Sequence, residues 1–159
     1  MKVEFVDSIG KIKKQDWENV QTNNYPFLKY PFLEALESSK CVSPEQGWSP
    51  FHLVVSDKEM VVAIMPLYIK TDSQGEFIFD WSWADAYYRN GLEYYPKLVS
   101  SIPFTPATGP RILINEKVER VEVIKEISNC LKQISEDNNF SSVHVLLAQK
   151  DEIERLSIE

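Results

Sequence analysis

Three carboxylates, Asp80, Asp85 and Glu93, stand in an unusually aromatic stretch of the chain. A carboxylate whose pKa is raised by burial can act as a general base, and any of the three could fill that role. Asp80, between Phe79 and Trp81 at what reads as a strand end, is the first to test, whereas Glu93 reads more simply as a surface acid. Tyr94, Tyr95 and Lys97 follow and could line the same cleft, and Trp48, Trp81 and Trp83 could wall it with exposed rings. Aromatics this dense also build ordinary cores. A second constellation is the loop carrying Thr105, Thr108, Gly109 and Arg111. Gly109 lets the backbone approach a ligand, the threonines offer hydroxyls, and Arg111 offers a bidentate fork for carboxylate or phosphate. The plainer reading is a proline-stiffened loop in which Arg111 pairs with Asp80 or Asp85.

The remaining reactive residues form no recognisable set. His52 and His144 stand alone in strand-like sequence, without metal-ligand spacing, and no Ser/His/Asp or Cys/His arrangement can be assembled from their order. Both read as structural histidines. Cys41 and Cys130 are far apart, belong to no CxxC pattern and read as free buried thiols. There is no phosphate-binding P-loop, no dinucleotide fingerprint and no zinc pattern, so no cofactor or metal is evident.

The elements that must position these residues follow from hydrophobic period and turn chemistry. A strand opens the chain over 1–6, a turn follows at 8–12, and a short helix over 14–20 carries Trp17 and Val20. Pro31 suits the first turn of a helix to about residue 39, with Phe32, Leu33 and Leu36 inward. Phe51, Leu53 and Val55 alternate, a polar turn spans 56–59, and a second strand runs over 60–70, with Pro66 demanding an edge or a bulge. Residues 76–81 complete a three-stranded meander, with Phe77, Phe79 and Trp81 on one face. A short helix over 83–90 stops at Gly91. The last third holds a strand over 112–114, a long amphipathic helix over 119–136 and a strand over 142–148 buried on both faces. A final helix over 151–158 is capped by Asp151. The order specifies an α/β (α+β) fold with a mixed, mostly antiparallel sheet flanked by helices.

Composition bounds the function. The chain has 159 residues, 43% of them hydrophobic and 26% charged, which describes one ordinary globular domain over 1–159 and excludes disorder and coiled coil. The net charge of -7 argues against a broad nucleic-acid footprint. No apolar run approaches the ~20 residues of a membrane span, and the N-terminus lacks a signal-peptide core. A reduced, cytoplasmic protein is expected.

Six blocks, YPFLEALE (30–37), GWSPFHL (47–53), GEFIFD (75–80), WADAY (83–87), GLEYYPKL (91–98) and PFTPATGPR (103–111), carry a family resemblance by their number, order and spacing. Together they resemble the bacterial FemAB-like predicted N-acyltransferases, described as peptidoglycan biosynthesis or recognition proteins. The resemblance implies an acyl-CoA N-acyltransferase (GNAT)-like fold and transfer of an acyl or aminoacyl group to an amine, with acetyl-CoA or an aminoacyl-tRNA as donor. Members generally resemble two such domains in tandem, and this chain resembles the first. The implied partner is a C-terminal acyltransferase-like half, in the same or a separate chain. An apolar surface for that half could also make the isolated domain a homodimer.

In GNAT-like domains a Gly-rich loop before a helix holds the CoA pyrophosphate on backbone N–H groups. The corresponding junction here, 115–119, has no glycine and two glutamates, so CoA binding at that place is not expected. Three readings stay open. The chain is the N-terminal part of a FemAB-like enzyme, incomplete alone. Or it is a self-sufficient small N-acetyltransferase with Asp80 or Asp85 as base. Or it is a non-catalytic module that recognises a cell-wall or peptide ligand through its aromatic loops.

Overall fold

The chain from Trp48 to Lys70 forms one long hairpin that breaks in the middle, and the break divides the molecule into two sheets. Four strands build it: β2 (Trp48–Pro50), β3 (His52–Asp57), β4 (Met60–Met65) and β5 (Tyr68–Lys70). Pro66 has no N–H to give to the ladder, and the arms are bridged there by Phe51 N–H donating to the Leu67 carbonyl at 2.8 Å. A computed structural model describes residues 1–156. Strand β1 (Lys2–Val6) pairs with β3 and β7 (Leu113–Ile114) with β4, giving an antiparallel sheet of order β1-β3-β4-β7. The other arm continues as β2-β5-β6-β8, with β6 (Lys97–Ser100) antiparallel to β5 and β8 (Val143–Val145) parallel to β6. The expected α+β class is therefore found, compatible with a GNAT-like fold, but in two sheets that share one bent hairpin.

The first sheet is covered on both faces, as the continuous apolar runs of β3 and β4 require. Val54, Ile64 and Leu113 face helices α1 (Lys14–Val20) and α2 (Tyr30–Ser38), where they meet Trp17, Val20, Leu28 and Leu33. Leu53, Val55, Ala63 and Met65 face the opposite way, onto the apolar stripe of α4 (Arg120–Asp137), made by Val123, Ile124, Ile127 and Leu131. The lone His52 is structural. Leu67 N–H donates to its Nδ1 at 3.3 Å, so the ring proton sits on Nε2 and is given to Glu37 at 2.7 Å. Glu37 also accepts from Ile9 N–H and the Ser8 hydroxyl, tying α2 to the hairpin and to the turn after β1.

Several expectations are corrected. Residues 76–80 form no strand, and the place beside β4 belongs to β7. Residues 97–100, not assigned as a strand from sequence, form fully buried β6. Strand β8 is half-buried because it lies at a sheet edge with β6 as its ladder partner. Helix α5 (Lys150–Leu156) begins one residue before Asp151, which sits in its first turn rather than at its cap. Ser157 and Ile158 lie outside the described residues. Cys41 is exposed and Cys130 half-buried.

Trp17 is fully buried and its indole N–H donates to the Leu28 carbonyl at 2.9 Å. Trp17→Ala is expected to cost about 3–5 kcal/mol by urea unfolding, from lost burial, a cavity and an orphaned carbonyl. Trp83, 65% exposed, should change stability by about 0.5 kcal/mol or less on the same substitution.

Candidate functional site

Strands β5 and β6 pair with Lys70 opposite Lys97, and both side chains are completely buried. A buried ammonium is costly unless counter-charges and hydrogen bonds surround it. The 71–96 excursion between the two strands supplies them. Lys97 Nζ donates to Glu76 Oε2 at 2.9 Å and, in a shorter contact, to Asp80 Oδ2. Asp80 also accepts from the hydroxyls of Tyr94 at 2.7 Å and Tyr95 at 3.1 Å. Lys70 lies over the Trp48 ring at 3.9 Å, donates to the Gln74 carbonyl at 3.1 Å and reaches Asp72 at 3.6 Å. Burial pushes its pKa down to about 8 despite the nearby carboxylates.

This demand inverts the pattern expected for 76–81. Glu76 and Asp80 turn inward to the ammonium, while Phe77, Phe79 and Trp81 point to solvent. Gly75 sits where the excursion crosses Phe104. Its φ is +78°, and a Cβ there would lie 2.6 Å from the Phe104 ring, so a side chain is excluded twice over. Helix α3 (Trp81–Arg89) has no buried residue of its own. Asp80, the residue preceding its first turn, attaches it to the sheet through Lys97 and the two tyrosines.

Between the excursion and β8 lies a cavity of about 350 Å³. Its walls are Ile78, Phe79, Trp83, Tyr87 and Tyr94, and its polar groups are Asp80, Ser142 and His144. Burial alone would raise the Asp80 carboxyl, but Lys97 and the tyrosine hydroxyls outweigh it and hold the group below the usual carboxylate range. Glu76 goes the other way, raised by burial, and its Oε1 meets no hydrogen-bond partner among the described residues. Burial, with Lys97 adding to it, pushes the His144 imidazole below its ordinary value, and Asp80 offsets part of that. A slightly larger hollow, about 390 Å³, lies by Ser8, Glu37 and Pro50, but its Glu37 carboxylate is already spent on His52, Ile9 and Ser8.

The residues singled out from sequence divide into four places. Asp80, Trp83 and Tyr94 meet at the cavity, with Tyr95 and Lys97 directly behind Asp80. Asp85 is exposed on α3 and pairs with Arg89 at 2.6 Å, and Glu93 is exposed. Trp48 is fully buried against Tyr68 and Lys70, so it contributes no exposed wall. The Thr105–Arg111 constellation lies apart from the cavity. Arg111 is buried and its guanidinium donates to the carbonyls of Leu146, Pro110 and Ala107 at 2.7–2.9 Å, pairing with neither Asp80 nor Asp85. Its backbone N–H and that of Ile112 are held by buried Glu152. Gly109 packs so tightly on Tyr25 that a Cβ would lie 2.3 Å from the ring. Thr105 is half-buried and bonds to the Pro103 carbonyl, while Thr108 is exposed.

Sequence reasoning passed over Glu76, Lys70, Ser142 and the cavity position of His144. The one available signal was the pair of lysines at the ends of apolar strand segments, which call for carboxylates nearby. Among the described residues no group of three or more His, Cys, Asp or Glu could hold a metal, and no helix is long and apolar enough to cross a membrane.

Lys97→Met should cost about 3–5 kcal/mol in chemical unfolding, because two carboxylates lose the charge they face. The two acids also carry opposite pH signatures. Asp80 is depressed in the fold, so its contribution is full above the unfolded value of ~3.9 and is lost as pH falls through the folded one. Glu76 is raised, so its ionisation subtracts stability as pH climbs from ~4.3 through its folded value. Glu76→Gln should therefore gain stability relative to the parent across that upper window, read from urea midpoints at successive pH.

Compared with known proteins, residues 8–159 match the model of the FemAB-like family, described as peptidoglycan biosynthesis/recognition. No curated protein and no solved structure matches the chain.

Proposed function

The chain belongs to the FemAB-like family, and from that premise we propose that it is the acceptor-binding domain of an N-acyltransferase acting in peptidoglycan metabolism. The observation that carries this reading is the charge of the aromatic cavity. Asp80 brings a carboxylate, His144 a neutral ring and Ser142 a hydroxyl, while the nearest cation, Lys97, is engaged behind Asp80. No lysine or arginine lines the cavity to balance a phosphate or carboxylate. An amine suits it better, entering as an ammonium over the faces of Trp83 and Tyr94 within reach of the Asp80 charge. The group to be acylated would thus be held here.

The donor, acetyl-CoA or an aminoacyl-tRNA by family likeness, needs its own anion site. The junction before α4 has no glycine, and Arg111 is committed to backbone carbonyls. A C-terminal acyltransferase-like half, in the same or a separate chain, would supply that site. Trp81 and Tyr88, seven residues apart on one face of α3 and each more than 60% exposed, leave that face open for it. The same exposed rings favour, as a second reading, a recognition module that binds a cell-wall ligand without chemistry.

Titration calorimetry tests the acceptor site with a soluble disaccharide–peptide fragment of peptidoglycan that carries a free side-chain amine, beside the same fragment N-acetylated. The amine form should bind about 10-fold more tightly, and Trp83→Ala should lose most of that difference, as a desolvated cation–π contact predicts. Equal affinity for both forms would overturn the amine assignment and leave the recognition module. Millimolar acetyl-CoA should leave the thermal midpoint of the chain unchanged. A rise of several degrees would instead favour the self-sufficient acetyltransferase.

A further inference from the structure

Ser142 and His144 are the cavity side chains that the acceptor reading leaves without a task. Ser142 immediately precedes β8 and His144 lies within it, two residues on, so both leave the strand on the same side. The parallel ladder to β6 fixes that strand, with Leu98 opposite Val143 and Val99 opposite His144. Ser142 Oγ is 2.8 Å from His144 Nε2. Its other neighbour, the Ser141 hydroxyl at 3.3 Å, gives its own hydrogen to the Tyr94 carbonyl. The shorter contact of Ser142 is therefore the one to the imidazole.

In the tautomer that carries its proton on Nδ1, neutral His144 accepts the Ser142 hydroxyl on Nε2, and the pair at the cavity wall then has the arrangement of a nucleophile with its base. The other titratable groups at the wall are poor bases by comparison. Asp80 already accepts from Lys97, Tyr94 and Tyr95, and Tyr94 donates its proton to Asp80. The charged groups that face His144 are Lys97 on β6 and Asp80 at the start of α3. Their opposed effects, together with burial, leave the ring unprotonated at neutral pH.

We propose that Ser142, with His144 as its base, accepts an acyl group from an activated ester or thioester that enters the cavity. Ser142 Oγ attacks the acyl carbon and the Oγ–C bond forms as the hydroxyl proton moves to His144 Nε2. The bond from the acyl carbon to the leaving oxygen or sulfur breaks, and the leaving group departs with the electron pair. The proton on Nε2 returns to the leaving group or to water, and Ser142 is left as a neutral ester. Passage of the acyl group from that ester to an amine rests on the acceptor reading above. The acylation itself does not.

The probe is p-nitrophenyl acetate with the whole chain at pH 7.5, followed by nitrophenolate release and by peptide mapping of the acetyl group. Ser142 should be acetylated ahead of the other hydroxyls, and Ser142→Ala should remove that adduct. His144→Gln should slow it about 100-fold, the usual worth of a general base. In the parent the rate should hold from pH 8 down to ~6.5 and fall below that, as His144 gains its proton. Thermal unfolding checks that both variants fold, and the pH profile carries the test alone if one does not. Acetylation confined to the amines, or a Ser142 rate that rises with hydroxide through neutrality or survives His144→Gln, would overturn the proposal. The peptidoglycan titration reads the acceptor site separately, so either idea can fail while the other stands.

Discussion

The buried ammonium of Lys97 is the constraint around which the candidate site is arranged. It stands at the start of a completely buried strand, opposite an equally buried Lys70, and neither can stay charged there without partners. The chain meets that requirement by looping out for some 25 residues between β5 and β6 and bringing Glu76 and Asp80 back. Because Asp80 immediately precedes α3, the ion cluster also places a helix that has no buried residue of its own. An ionic network of this kind adds little net stability, yet it specifies one position for the segment it holds.

A comparable polar latch closes the other end of the second sheet. Glu152, buried on α5, accepts the N–H groups of Arg111 and Ile112 and meets Arg120 at 3.3 Å. Arg111 in turn donates to Leu146, just beyond β8. The loop that looked suited to an anion is therefore stitched to the strand that lines the cavity. The latch holds the chain just beyond β8, and the Lys97 cluster holds the excursion.

That division of labour bears on the chemistry. The cations in or beside both constellations, Lys97 and Arg111, are consumed internally, one by carboxylates and one by carbonyls. What remains open is aromatic surface with a carboxylate, a neutral imidazole and hydroxyls, and the proposed amine and acyl chemistry rests on that character.

Much was legible in the sequence because local rules governed it. Period-2 and period-3.6 patterns placed β1, β3, α1, α2 and α4 to within a residue or two, and the ordered aromatic blocks carried the family. The strand read over 60–70, with an edge or a bulge expected at Pro66, instead splits there into β4 and β5 of two different sheets. Asp80, Trp83 and Tyr94 were visible as candidates because carboxylate and aromatic residues crowd one segment. Tertiary structure decided the rest, where a distant charge overrode a local pattern. The alternation of Phe77, Phe79 and Trp81 reads as a strand until Lys97 draws Glu76 and Asp80 inward and sends the rings out. Arg111 reads as an anion fork until three carbonyls, one of them 35 residues away, take up its donors. His144 reads as solitary until a parallel ladder sets β8 beside β6 and turns its ring toward Tyr94 and Asp80. Pattern within a window fixes which face an element buries by apolar area. Which charges must be neutralised, and by whom, is settled only when remote strands are in register.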